Sequence, residues 1–197
     1  MFMRSVVRRR PVRRTHWGFT LVEILVACAL FLVVLTLMVQ TLVPTMVACR
    51  KAADRVDLHQ RATLLGERMA QDLRASSRAA VGLFPSAGGQ SLSIHPRQQD
   101  TGMVAWQDRL RVYDWNQAAE TVIGSTATLA AVPMGPLVPL PGVMDGLPKQ
   151  QFLRVEGVKT FTFQLDPGPS ARLGLTLAKG VESFEFSRLV FFRNGAD

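Results

Sequence analysis

Between Ile24 and Cys49 the chain carries no charged residue, and the stretch from Ile24 to Val39 is almost purely aliphatic. A bilayer needs about 20 apolar residues to be crossed as a helix, so this run predicts a membrane-spanning helix reaching to about residue 43. Toward its end the polar residues Thr36, Gln40, Thr41 and Thr45 weaken the apolar character, and Pro44 interrupts it. A proline inside a helix removes one hydrogen bond and crowds the preceding turn, so a kink or local melting is expected near Val43. Arg4, Arg8, Arg9, Arg10, Arg13 and Arg14 precede the run with no acid among them. By the positive-inside rule they place the amino terminus in the cytoplasm and the rest of the chain outside, as a single-pass protein.

The same arginines account for most of the chain's basicity. Its formal charge is +8, and without these six it falls to +2. A nearly neutral remainder gives no electrostatic case for a nucleic-acid partner, which requires Lys and Arg gathered on one lasting surface. The 197 residues leave room for one modest domain beside the long apolar helix. Cys28 and Cys49, the only cysteines, would lie about 31 Å apart along a helix, beyond the reach of a disulfide. They read as small apolar fillers.

Several export signals compete for the amino terminus. A secretory signal would be cut after the apolar run, yet the stretch Met46 to Cys49 has no clean A-x-A pattern and the run is long for such a signal. Leu25 to Cys28 matches a short lipidation pattern, but most of the apolar run follows that cysteine instead of preceding it. Arg13-Arg14 begins a twin-arginine pattern that the residues after it do not complete. None of the three explains Glu23, a carboxylate at the start of an aliphatic run. Gly18-Phe-Thr-Leu-Val-Glu23, after an arginine-rich leader and before a long apolar helix, resembles the signal of type IV prepilins and type II secretion pseudopilins.

That resemblance implies cleavage by a prepilin peptidase between Gly18 and Phe19, with N-methylation of the new Phe19 amine. The residues suit these roles. Gly18 offers no side chain to obstruct a protease on an extended backbone, and a helix starting at Phe19 keeps its anchor after the cut. Glu23 would then stand about 6 Å along the helix from the new terminus. A carboxylate in or near lipid costs on the order of a few kcal/mol and needs a partner. The nearest cation is an N-terminal amine of this or a neighbouring subunit, so Glu23 is the candidate assembly residue.

Past Arg50 the pattern changes. Leu58, Ala62, Leu65, Met69 and Leu73 recur at helical spacing, with Arg55, Asp57, Arg61, Glu67, Arg68, Asp72 and Arg74 between them, which predicts an amphipathic helix with one buried stripe. The sequence thus divides into a basic leader over 1–18, a helix over 19–80 and a β-rich head over 81–197. Gly82 to Gly102 reads as linker with one short strand from Ser91 to His95. Alternation then predicts strands: Leu110 and Val112 against Arg109, Arg111 and Tyr113; Phe161, Phe163 and Leu165; Leu173, Leu175 and Leu177. Val132 to Gly142 holds four prolines and two glycines and reads as a surface loop. The expected fold is α+β, a long amino-terminal helix packed on a mainly antiparallel sheet.

The stretch Glu67 to Arg74 and the stretch Val155 to Phe163 resemble the helix end and a later strand of the larger minor pseudopilins, the J-type of type II secretion, and of the related W-type minor pilins. The resemblance implies a minor subunit of a periplasmic pseudopilus, in its tip or initiation complex, with sibling subunits and an inner-membrane assembly platform as partners. The alternative keeps the architecture in a type IV or competence pilus, serving adhesion, motility or DNA uptake. An anchored periplasmic enzyme is the third class, and no motif supports it: HExxH, CxxC, P-loop and G-x-S-x-G patterns are all missing from the sequence. His16, His59 and His95 have no ligand-like neighbours at useful spacing. Asp100, Asp108, Asp114 and Asp145 lack the spacing of a calcium loop. No catalytic, cofactor or metal set is expected, and Trp106 and Trp115 near Arg109 and Arg111 read as part of a buried strand face.

Overall fold

The structure, a computed structural model, describes residues 19–86, 88–100, 103–137 and 146–193. The chain divides after Ala48 into two compact units. The first contains the beginning of helix α1, Leu21–Arg74, and the second contains its end together with every strand.

In the first unit every described residue is exposed, and the helix solves its polar problem internally. The hydroxyls of Thr36, Thr41 and Thr45 donate to the carbonyls of Leu32 (2.8 Å), Leu37 (3.1 Å) and Thr41 (2.7 Å). Side-chain hydroxyls bonded back to the preceding turn need no water. The helix continues through Pro44, so the local melting expected there does not occur.

In the second unit α1 buries Leu58, Ala62, Leu65, Gly66, Met69, Ala70, Asp72 and Leu73. It ends at Arg74, six residues before the predicted Ala80, which instead closes a single 3₁₀ turn, Arg78–Ala80. The reason is competition for the backbone. The carbonyls of Ala75 and Ala80 accept from the amides of Arg97 (2.7 Å) and His95 (2.9 Å), and the Ser76 hydroxyl donates to the carbonyl of His95 (2.7 Å). Helical continuation would leave those groups without partners.

Ten strands follow. A five-stranded antiparallel sheet has the order β1-β2-β5-β6-β7, made of Val81–Ser86, Gly89–Ile94, Arg109–Asn116, Thr121–Thr128 and Lys149–Glu156. A three-stranded antiparallel sheet has the order β10-β9-β8, from Val158–Leu165 (β8), Ser170–Lys179 (β9) and Glu182–Phe191 (β10). Arg97–Asp100 (β3) and Met103–Trp106 (β4) form a separate hairpin. The fold is therefore α+β, with the helix packed on antiparallel sheets.

The stretch read as linker after Gly82 holds β1, β2 and β3. Its turn residues misled because their context is special. Pro85 lies on an edge strand, where a missing N–H can be tolerated. Gly89 lies so close to the carbonyl of Trp115 that a Cβ would come within 2.3 Å of its oxygen.

The core joins the helix stripe to Leu92, Ile94, Tyr113 and Val122 of the larger sheet and to Phe161, Phe163, Leu173, Leu175, Leu177 and Val190 of the smaller one. The predicted alternations over 161–165 and 173–177 bury the expected faces. In β5 both faces are covered. Leu110 and Val112 join Ala127 in a satellite cluster, whereas Tyr113, expected on the polar side, is fully buried in the main core.

Strand β10 runs along α1 in the same direction. Glu182 pairs with Arg55, the Phe184 ring meets His59 edge-on at 4.8 Å, Arg188 pairs with Glu67, and the amide of Arg193 reaches the carbonyl of Arg74. Between these contacts the Phe186 ring lies against Gly66, where a Cβ would come within 2.3 Å of it. Glycine in a helix interior costs about 0.8–1.0 kcal/mol relative to alanine; here it makes room for an aromatic ring.

Candidate functional site

The candidate site opens α1. Thr20 precedes the first helical residue, and its amide and hydroxyl both donate to Oε2 of Glu23, at 2.9 and 3.0 Å. The Glu23 amide in turn donates to the Thr20 hydroxyl at 3.3 Å. These reciprocal bonds form a capping box, which satisfies donors that the first helical turn cannot pair itself. The carboxylate also faces the positive end of the helix dipole. The Thr-x-x-Glu signature is visible in the sequence, which assigns Glu23 an N-terminal amine as its expected partner. It has local partners as well. No bond reaches its other oxygen, Oε1, among the described residues. Phe19 is exposed at the start of this turn, and Gly18 lies outside the described residues.

Beyond the cap, the helix presents aliphatic side chains on all sides. Phe31, Leu32, Val33, Val34 and Leu35 are each about half exposed or more. Soluble monomers rarely leave contiguous apolar patches larger than a few hundred Å² uncovered. The helix is long and apolar enough to cross a bilayer, and it is a candidate single-pass span. Arg50 and Lys51 follow directly after the uncharged run, both exposed, so cations stand at each end, with the excess on the amino-terminal side.

Polar groups inside the head are structural in their geometry. Tyr113 donates its hydroxyl to Oδ2 of Asp72 at 2.6 Å, and the Arg111 guanidinium stands 3.9 Å from Oδ1. Asp72, predicted on the polar face of the helix, is buried. Burial pushes its carboxyl pKa up, against the opposing pull of the Tyr113 hydroxyl, Arg111 and Arg68. Burial likewise pushes the Tyr113 phenol up, and the neighbouring carboxylate adds to the effect. The network fastens helix to sheet.

His95 is wholly buried, stacked on Trp106 with ring centroids 4.8 Å apart. Its Nε2 lies 2.8 Å from the carbonyl of Gln107, and Nδ1 receives the amide of Leu137 at 3.2 Å. One nitrogen donates and the other accepts, the pattern of neutral imidazole, and burial lowers its pKa. His95 thereby ties down the start of the proline-rich stretch. Residues 138–145 of that stretch lie outside the described residues.

Trp106 is buried on β4 beneath the Arg97 guanidinium, 4.2 Å from its centroid, and Trp115 donates its indole N–H to the carbonyl of Val158 at 3.1 Å. Asp108 lies beside Arg109 at 3.6 Å, and Asp114 accepts from the Ser91 hydroxyl and stands 3.9 Å from Lys149. Asp145 lies outside the described residues. Among the described residues no group of three His, Cys, Asp or Glu side chains could hold a metal ion. No protein-family model, curated protein or solved structure matches the chain.

Proposed function

We propose that this chain is a pilin-like filament subunit, cut by a prepilin peptidase between Gly18 and Phe19 and N-methylated on Phe19. The observation that carries the reading is the exposed aliphatic first half of α1, its first turn closed by Thr20 and Glu23, directly behind an arginine-rich segment. Oε1 of the Glu23 carboxylate takes no bond among the described residues and is open for the methylated amine of a neighbour. That pairing would set how far one subunit is displaced along the next. The α+β head and the J-type and W-type resemblance favour a minor subunit of a periplasmic type II secretion pseudopilus, in its tip or initiation complex. Its partners are then sibling pseudopilins and the inner-membrane assembly platform.

The mass and amino-terminal sequence of the mature chain test this reading. The expected result is N-methyl-Phe19, with Gly18→Ala left uncut. A mature protein of wild-type mass from Gly18→Ala, or any other amino terminus, would overturn it.

A further inference from the structure

We propose that the pole of the head nearest the apolar run docks on anionic phospholipid headgroups, through Arg50, Lys51 and the tip of the β9–β10 hairpin. This rests on the membrane anchor of the function proposed above. Because β10 runs along α1 in the same direction, its beginning lies beside the earliest part of the helix within the head. The hairpin turn is therefore the part of the smaller sheet closest to that end. Lys179 reaches Asp54 at 2.8 Å and Asp57 at 3.3 Å, and Glu182 reaches Arg55 at 2.6 Å. Asp54 is five residues beyond Cys49, where the uncharged run stops. Even a fully extended chain could not place it more than about 18 Å from that end.

The charge at this pole is unbalanced in a specific way. Arg55, Arg61 and Lys179 pair with Glu182, Asp57 and Asp54, and Arg50 and Lys51 precede them in the chain. The three carboxylates are taken: Glu182 by Arg55, Asp57 by Arg61 and Lys179, and Asp54 by Lys179. Arg50 and Lys51 form no ion pair among the described residues, and Lys51 acts on Glu182 only through its field. Two unneutralised, exposed cations thus stand where the chain leaves its apolar run. Long basic side chains at such a boundary lay their stems along apolar surface and turn their charge to phosphate.

The hairpin tip matches this partner. Gly180, at φ +63°, and Val181 connect Lys179 to Glu182 as a two-residue turn of primed type. Such turns favour small or polar residues at the tip. Here the second position is valine, 87% exposed. An apolar tip beside unpaired cations suits the polar headgroup layer, where apolar and charged groups mix.

The test uses the full chain reconstituted in vesicles, with Cys28 and Cys49 replaced by serine and a nitroxide on Val181→Cys. Its collisions with a nickel chelate on the lipid headgroup are read against those with a water-soluble relaxant. In phosphatidylglycerol-containing vesicles the headgroup signal should dominate, and it should fall in pure phosphatidylcholine or in high salt. Arg50→Gln with Lys51→Gln should lower the docked-to-undocked ratio on the order of thirtyfold, about fivefold for each cation near an anionic surface. Both side chains are exposed, so the head should fold unchanged. A label equally water-accessible in both lipids, or indifferent to the two substitutions, would overturn the inference and leave the anchor standing. So would shielding that is independent of lipid and grows with protein density, since a second copy would then be the occupant. Release of the chain by alkaline carbonate would overturn the anchor and the inference together.

Discussion

The two halves of α1 share one backbone geometry and differ in what surrounds them. From Leu21 to Ala53 every side chain is exposed, and the residues up to Cys49 are mostly aliphatic. From Leu58 to Leu73 a narrow stripe is buried to near zero accessibility while charged residues line the rest. An apolar residue in the second half already has its apolar environment inside the head. In the first half it has none among the described residues. The change from continuous to periodic hydrophobicity marks the passage from one half to the other.

This contrast can be broken by substitution. The largest effect is expected for Leu65→Ala, which empties a fully buried position: the head should lose about 2–5 kcal/mol of stability. Leu35→Ala, the same change in the exposed half, should leave head unfolding within about 0.5 kcal/mol of wild type. Comparable losses in chemical denaturation would mean that the halves form one cooperative core and that the contrast is false.

A smaller loss, about 1–3 kcal/mol, is expected at neutral pH for Tyr113→Phe, which leaves the buried Asp72 carboxylate without its hydroxyl donor. The pH dependence has a defined sign. Burial raises the Asp72 pKa above its value of 3.8 in the unfolded chain. As pH rises through the interval between the two values, the unfolded state gives up its proton first and the native state loses stability. The Tyr113 hydroxyl favours the ionised form, so its removal should cost less near pH 4 than near pH 7. Asp72→Asn should remove this contribution from the stability profile. A Tyr113→Phe deficit that stays constant or grows toward acid would contradict the assignment.

In the first half the least effect on head stability accompanies a functional distinction. Glu23→Gln keeps an acceptor for Thr20 and removes the charge, while Glu23→Val removes both. Neither should shift head unfolding measurably. If the charge is what sibling subunits recognise, both variants should fail to co-purify with them. Normal co-purification of Glu23→Gln would show that only the cap matters.

The long helix and the strands around Phe161 and Leu173 were legible because their periodicities are strong and uninterrupted. The failures had tertiary causes. Glycine and proline made 82–102 look like linker, yet an edge position accommodates Pro85 and a close backbone approach requires Gly89. Tyr113 and Asp72 each carry a polar atom that local pattern assigns to water, and each is buried because the other, 41 residues away, satisfies it. The capping box is written in the sequence as Thr20-x-x-Glu23 and depends on no tertiary contact. Gly18, by contrast, lies outside the described residues.

The absent side chain of Gly66 has a mechanical consequence. Phe186 drops into a notch in the helix surface, and the next residues along the same face, Ala62 and Ala70, carry the methyl groups that Gly66 lacks. Sliding β10 along α1 by one turn would drive the ring onto a Cβ, so the notch acts as a detent. Tension applied along α1 within the head would be passed to the smaller sheet without slippage.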